Sequence, residues 1–466
     1  MARTLIVVGA GPAGMAAAIE AVARGCRVTV IDEAALPGGQ IYRQSHPALG
    51  KRELADAGEL ARKHRLLEGF ARAAGRIDYR PGAAVFALFP SGEVHVAEGG
   101  STEVLRADAI VLATGVRELA IPFPGWTTPG VMFAGGAQAI LKSQQVLPGR
   151  EAVVAGCGPL PMVVAAQLLR AGGRVKALAT LHPFSRMLRH AGGLWHGRGI
   201  VAEGLRYGWT VVRSGVERLT GYVPTRVIGR DHVEAVVLAR MDGHGRVVAG
   251  SEREIACDLL ALNYGFVANS ELAAMAGVAM RRDAVAGGWL PRSDEFGRTS
   301  IPGLFVAGDG AGLRGALIAE LDGRIVGAAA AAEPRQAEAE WRAALGETLR
   351  QRRRQLAFQA AVRETLQLPK GAWSLVSDDT TVCRCENVTL GDIRGAFGSG
   401  HVTLNAVKRN VRAGMGWCGG RTCLHAVAAL AELHSGVAPA AMMTPRPLAR
   451  PVSFAALANQ RKAGVP

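Results

Sequence analysis

The feature that most constrains this chain is a phrase it uses twice. TLIVVGAGPAGMAAAIEAVARGCRVTVID opens the sequence, and EAVVAGCGPLPMVVAAQLLRAGGRVKALA repeats the same order from Glu151 to Ala179. Each reads as apolar strand, glycine turn, helix and second apolar strand, the unit of a parallel sheet whose first turn receives a dinucleotide. In the first copy, residues 5–8 suit a buried parallel strand, the alanine-rich residues 15–24 a helix, Gly25 its stop, and residues 28–31 the next strand. The repeat predicts an α/β chain with two Rossmann-like dinucleotide-binding domains.

The first turn, Gly9-Ala-Gly11-Pro12-Ala13-Gly14, is a GxGxxG loop in the context that gives the pattern meaning. Gly9 permits the tight turn, Gly11 lets backbone approach a pyrophosphate at the helix start, and Gly14 lets that helix pack closely on the sheet. Asp32, with Glu33 beside it, ends the next strand and can accept hydrogen bonds from a ribose. The second turn keeps Gly156 and Gly158 but places Pro161 at the third position. Its following strand ends at Thr180 with neither an acid for a ribose nor a basic pair for a 2′-phosphate. The fold is expected to persist there while NAD(P) binding is not. His182, His190 and His196 lack ligand spacing and are expected at the surface or facing a partner.

Seven cysteines divide into two kinds. Cys26, Cys157 and Cys257 stand alone among apolar or glycine-rich neighbours and read as buried small side chains. Cys383-Arg-Cys385 and Cys418-Gly-Gly-Arg-Thr-Cys423 supply two thiolate pairs, with 32 residues between the pairs. A CxC pair is unusual for structural zinc, whereas close pairs suit a [2Fe–2S] cluster with two ligands per iron. Zinc and unmetallated thiols remain the alternatives at this point. Gly414, Gly416, Gly419 and Gly420 surround the second pair and would let amides approach the sulfurs. Thr389 with Asp392 resembles an N-capping pair, which places a helix start directly after CRCENV.

The net charge of +15 raises nucleic acid as a partner, but only residues 350–354 form a dense basic run and aromatics are 5%. With few stacking platforms, nucleic acid is not expected. No apolar stretch is long enough to span a membrane, and a strand begins almost at once, so a cytoplasmic protein without a signal peptide is expected.

Three further stretches resemble the two-dinucleotide-binding flavoproteins, the family of the disulfide reductases. Pro37-Gly38-Gly39-Gln40 matches the loop beside the flavin, 110–115 with Ala113, Thr114 and Gly115 matches the second crossing strand, and 304–309 with Gly308 and Asp309 matches the motif that holds the ribityl chain. The resemblance implies FAD, bound also by Val85. The family's redox disulfide is absent, since no CxxC lies near Gly39 or Cys157. VCRCENVTLGDI…VKRNVRAGMGWCGGRTC resembles the bacterioferritin-associated-ferredoxin-like [2Fe–2S] domain, with Cys383, Cys385, Cys418 and Cys423 as ligands.

The combination is similar to the larger, α-type subunits of multi-subunit bacterial amino- and imino-acid dehydrogenases: D-hydroxyproline dehydrogenase, opine oxidases and hydrogen cyanide synthase. PGGQIYR, PFPGWTTPGV and the C-terminal RPVSF carry the likeness through the chain. It implies a discontinuous FAD-binding domain at 1–118 and 292–333, a second dinucleotide fold at 119–291, a helical connector at 334–375, a small mainly α [2Fe–2S] domain at 376–435 and an extended tail at 436–466. Its implied partners are a substrate-oxidising flavoprotein β subunit, with a small γ subunit, plus a quinone or other electron acceptor, which could bring the chain to the periphery of the inner membrane. An additional flavin at a subunit interface, or an adenine nucleotide in the second domain, is left open. No catalytic residue is assigned to this chain. The rival readings are an NAD(P)H-dependent flavin reductase of a ferredoxin-like protein and a zinc-stabilised regulatory protein.

Overall fold

The computed structural model describes residues 2–50, 53–283, 288–332, 338–397 and 403–461. The parts of the expected domains, connector and tail at 1, 51–52, 284–287, 333–337, 398–402 and 462–466 lie outside these residues.

The repeated phrase builds two five-stranded parallel sheets of the same order. In the first, Thr4–Val8 lies centrally, with Arg27–Asp32 and Ile77–Pro81 on one side and Ala109–Leu112 and Leu304–Val306 on the other. In the second, Glu151–Gly156 is central, flanked by Arg174–Thr180 and Glu217–Thr220, and on the other side by Leu259–Asn263 and Val131–Phe133. A three-stranded antiparallel sheet accompanies each. The inner strands are apolar on both faces because helices cover one face and the antiparallel sheet the other, and separate buried clusters form on the two faces of each sheet.

The first helix runs Pro12–Ala23, three residues ahead of the expected start. Pro12 at the first position explains the difference, since the amide it lacks would have had no partner within the helix. Gly25 follows at φ +83°, the left-handed geometry that ends it. This helix packs on Ala316–Ala331 so closely that a Cβ on Gly323 would stand 2.1 Å from Ala13 O. That contact fixes the loop at Asp309 against the first glycine turn.

The expected connector is helical, at Glu338–Ala344 and Gly346–Arg363, but it is more than a link. Phe358, Val362 and Leu366 recur at helical spacing and are buried in the core of the second sheet. Within the basic run, Arg352 is buried and pairs with Asp322 at 2.9 Å, while Arg350, Arg353 and Arg354 face solvent. Of the histidines expected at the surface or facing a partner, His196 is exposed, while His182 Nε2 lies 2.6 Å from Gln367 O and His190 Nε2 3.2 Å from Glu364 Oε1, both partly exposed.

The cysteine region has its own core around Val382, Ile393, Val407 and Val427, to which Trp289 of the strand Gly288–Pro291 contributes. The capping pair is reciprocal: Thr389 N–H donates to Asp392 Oδ2 at 2.9 Å, and Asp392 N–H to Thr389 Oγ1 at 3.3 Å. The tail lies over the body and includes a short helix, Phe454–Ala458. Among the described residues, no helix is long and apolar enough to cross a membrane.

Candidate functional site

A continuous cleft of about 2210 Å³ opens along the carboxyl ends of the strands of the first sheet and runs towards the second. Gly9, Gly11, Pro12, Ala13, Asp32, Glu33, Gly39, Gln40, Val85, Ala113, Thr114, Gly115 and Asp309 all line it. Gly14 and Gly308 stand behind the wall. A Cβ on Gly14 would meet Gly9 O at 1.8 Å, and one on Gly308 would meet Ala13 Cβ at 2.7 Å, so both glycines serve packing.

Gly11 differs from these. Its φ of −73° suits any residue, and the only atom within 4 Å of a Cβ there is Gly39 Cα at 3.8 Å. The fold therefore has no need of glycine at this position. What a side chain would fill is the cleft itself, at the start of a helix, where a diphosphate fits.

Two acids frame that point. Asp32 accepts the amides of Ala10 and Ala34, the latter at 2.7 Å. Burial raises its carboxyl above the ordinary range, against the pull of those two amides. Asp309 Oδ1 accepts the amides of Arg314 and Gly315 at 2.9 and 2.7 Å, and burial raises it too. The Thr114 hydroxyl donates to Asn269 O at 2.7 Å, just past the strand Phe266–Ala268. Amides, glycines and acceptors in this order fit a dinucleotide bearing a polyol chain.

Sequence reasoning missed Glu118, further along the cleft. It accepts Asn263 Nδ2 at 2.7 Å and Gly135 N–H at 2.9 Å, yet burial pushes its carboxyl up to about 7. In sequence the available signal was an acid three residues after Gly115. Arg421 and Arg450 also line the cleft and were not singled out.

The second glycine turn is filled differently, although Pro159, Leu160 and Thr180 beside it still line the cleft. Gly158 N–H donates to Thr365 O at 3.0 Å, and a Cβ on Gly158, at φ +74°, would stand 2.4 Å from Leu366 Cδ2. Thr365 and Leu366 are 1% and 6% exposed. The Gly158 amide and the space beside it are thus taken by the chain's own residues after Gly346–Arg363.

The four C-terminal cysteines gather as Cys383 with Cys423 and Cys385 with Cys418. Cys383 is held down to about 6 by the Cys423 thiol and by the amides of Gly414, Glu386 and Cys385. Cys423 and Cys385 are both raised, the first by its bond to Cys383 and the second by burial. Among the described residues, no three His, Cys, Asp or Glu side chains converge as ligands of a single ion. Two thiol pairs with amides aimed at sulfur fit a two-iron cluster. Gly416 is required for the approach, since a Cβ there would stand 2.4 Å from Cys385 Cβ.

The two sites adjoin. Arg421 and Thr422, immediately before Cys423, line the cleft that holds Thr114 and Asp309. Arg117, three residues beyond Thr114, donates its Nε to Arg421 O at 2.8 Å.

Comparison with known proteins agrees with this layout. Residues 3–337 match the pyridine nucleotide-disulphide oxidoreductase family, and residues 381–432 match the BFD-like [2Fe–2S] binding domain. The A-subunit of opine oxidase from Rhizobium meliloti is 35% identical over 98% of this chain and 87% of its own length. Hydrogen cyanide synthase subunit HcnB of Pseudomonas aeruginosa is 33% identical over 97% of this chain and 98% of its own. The crystal structure of L-proline dehydrogenase from P. horikoshii shares the fold, with a TM-score of 0.66 at 20% identity, covering 98% of this chain and 79% of that one. The chain belongs to the pyridine nucleotide-disulphide oxidoreductase family, as an FAD-dependent oxidoreductase with a C-terminal [2Fe–2S] domain, in the group of the opine oxidase A-subunits and HcnB.

Proposed function

We propose that this chain is the electron-transferring subunit of a hetero-oligomeric amino- or imino-acid dehydrogenase. In this reading a hydroxyproline-like or opine substrate is oxidised on a partner flavoprotein, and electrons leave this chain for a quinone or dye acceptor. The observation that carries it is the shared wall: Thr422, next to Cys423, lines the same cleft as Asp309 and Thr114. FAD can take electrons in a pair and release them one at a time, and an iron–sulfur cluster takes them singly, which is the chemistry a relay between a two-electron donor and a one-electron acceptor needs.

The chain's own residues would do the following. Gly11 leaves room for the diphosphate, Gly9 makes the tight turn against Ala113 and Gly39 lies against Gly11, while Asp32 accepts from the ribose and Asp309 accepts from the polyol. Pro12, Ala13, Glu33, Gln40, Val85 and Ala113 to Gly115 complete the wall. Glu118, raised to about 7, would hold a proton on its carboxyl near neutral pH in the inner cleft. Cys383, Cys385, Cys418 and Cys423 would ligate the cluster. The bond from Arg117 to Arg421 keeps the flavin-side strand against the cluster loop. The covered second glycine turn favours electrons arriving from a partner over arrival as NAD(P)H.

The test is co-purification with a co-expressed flavoprotein subunit of the amino-acid-oxidising type, followed by anaerobic addition of hydroxyproline and opine substrates. Substrate should reduce the flavin of this chain only when both polypeptides are present. Alanine at any one of the four cysteines should remove the cluster signal from the paramagnetic resonance spectrum and slow acceptor reduction, while the partner's first half-reaction survives. Fast stoichiometric reduction of the isolated chain by NADH or NADPH would instead establish a flavin reductase.

A further inference from the structure

The tail beyond Gly436 touches both cofactor regions within a few residues. On the cluster side, Thr444 N–H donates to Asn405 Oδ1 at 2.9 Å, and Lys408 Nζ donates to Thr444 O at 2.8 Å. Met443 is buried against Gly414, whose amide donates to Cys383. Six residues later the tail is at the other site. Ala449 N–H donates to Phe86 O at 2.6 Å, one residue from Val85 in the cleft wall. The Arg421 guanidinium donates to Ala449 O, and Arg450 pairs with Glu33. The chain then runs on beside Thr102, whose carbonyl accepts Arg461 N–H at 2.7 Å.

The charge at this corner needs an explanation. Asp32 and Glu33 stand together where a dianionic diphosphate has to lie nearby. A ribose needs one acceptor, but a second bare carboxylate repels the phosphates. Arg450 offsets it. Its side chain is 23% exposed and that of Glu33 is 52%, so as a stabilising pair it is worth little. Its consequence falls on the field inside the cleft, which both Arg450 and Arg421 line.

We propose that residues 443–461 form a strap across the adenosine end of the FAD site, with Arg450 as the cation that neutralises Glu33 and favours the bound diphosphate. The strap is anchored on the cluster domain at one end and on the first domain's antiparallel sheet at the other. This inference rests on the placement of the adenosine at Asp32, Glu33 and Val85.

The experiment measures FAD dissociation by flavin fluorescence in the full chain, with the cluster's resonance signal recorded on the same samples. Arg450→Ala should weaken FAD binding about 5–20-fold with the cluster signal unchanged, and Arg450→Lys should recover part of the loss. A chain ending at Pro445 should lose more. FAD should also slow chymotryptic cleavage after Leu448, which is exposed in the strap. This last measurement needs no variant to fold. Dissociation constants within twofold of the native value in Arg450→Ala, together with cleavage indifferent to FAD, would overturn the strap. If Gly11→Val loses FAD in that case, the site placement survives and only the strap fails. If Gly11→Val also keeps full FAD, the placement itself is wrong and the strap falls with it.

Discussion

The two glycine turns of this chain descend from one grammar and end in opposite states. At the first, Gly11 N-terminal to the helix faces open cleft, and nothing in the protein forbids a side chain there except the space itself. At the second, Gly158 is glycine because Leu366 lies against it and its φ is positive, and its amide is already bonded to Thr365. A glycine kept for a ligand and a glycine kept for packing look identical in sequence. What separates them is the neighbour, and in the second turn the neighbour comes from more than 200 residues away.

That contrast can be broken most sharply by placing the same side chain in both turns. Gly11→Val should abolish FAD binding, a loss of at least a hundredfold or about 3 kcal/mol, while the apo chain keeps its melting temperature within a few degrees. Gly158→Val should do the reverse, costing about 2–4 kcal/mol of stability through left-handed strain and overpacking without changing the FAD affinity of the folded chain. Leu366→Ala should also destabilise by about 2–5 kcal/mol, because the side chain is buried and its neighbours relax only partly. Equal effects of the two valines on FAD would mean that the turns are not divided as described. NADH or NADPH reducing the native flavin within the mixing time would mean that Thr365 and Leu366 do not close the second turn.

The same contrast explains how far the sequence could be read. The strand–turn–helix units were legible because their hydrophobic period and glycine spacing are local. So were the four thiols, grouped locally as 383/385 and 418/423, and the Thr389–Asp392 cap, but not the pairing of Cys383 with Cys423 and Cys385 with Cys418 across those groups. The closure of the second turn was not. Pro161 and the missing ribose acid signalled that something differs there, but only the fold brings Leu366 to Gly158. The spacing of Phe358, Val362 and Leu366 was readable as an apolar stripe, and the surrounding arginines masked it. Arg450 was invisible for the same reason: a lone arginine in a Pro-rich tail carries no pattern, and its meaning comes from Glu33, which it reaches across 417 positions.

Within the open turn the comparison sharpens at Asp309. Both its backbone bonds fall on Oδ1, and the residue lines the cleft. Asp309→Ala should weaken FAD binding by about 1–3 kcal/mol, roughly 5–150-fold, because an acceptor for the polyol is lost and two loop amides lose their partner. Asp309→Asn retains an acceptor oxygen and should fall between. A titration of apoprotein with FAD, followed by fluorescence quenching, separates the three. An affinity unchanged in Asp309→Ala would move the polyol chain elsewhere in the cleft.

The smallest expected effect belongs to the covered turn and concerns what holds the cover. His182, two residues past the strand end at Thr180, meets Gln367 O through Nε2 at 2.6 Å. A carbonyl only accepts, so this nitrogen carries the hydrogen. Burial lowers the imidazole below its ordinary 6.5, helped by Arg186, while the bond to Gln367 and the charge of Glu364 act the other way. The folded state therefore favours the neutral ring. Its contribution is complete above the unfolded value near 6.5 and is lost as pH falls from there through the lower folded value. His182→Ala should cost about 0.5–1.5 kcal/mol at pH 8, and the gap to the native chain should narrow on going to pH 5. Urea unfolding of both chains at pH 8, 6.5 and 5 measures this, since the other histidines are common to both and cancel. A gap that widens towards pH 5 would mean that the folded state prefers the charged ring, and the bond to Gln367 would then outweigh burial in holding the cover on the second turn.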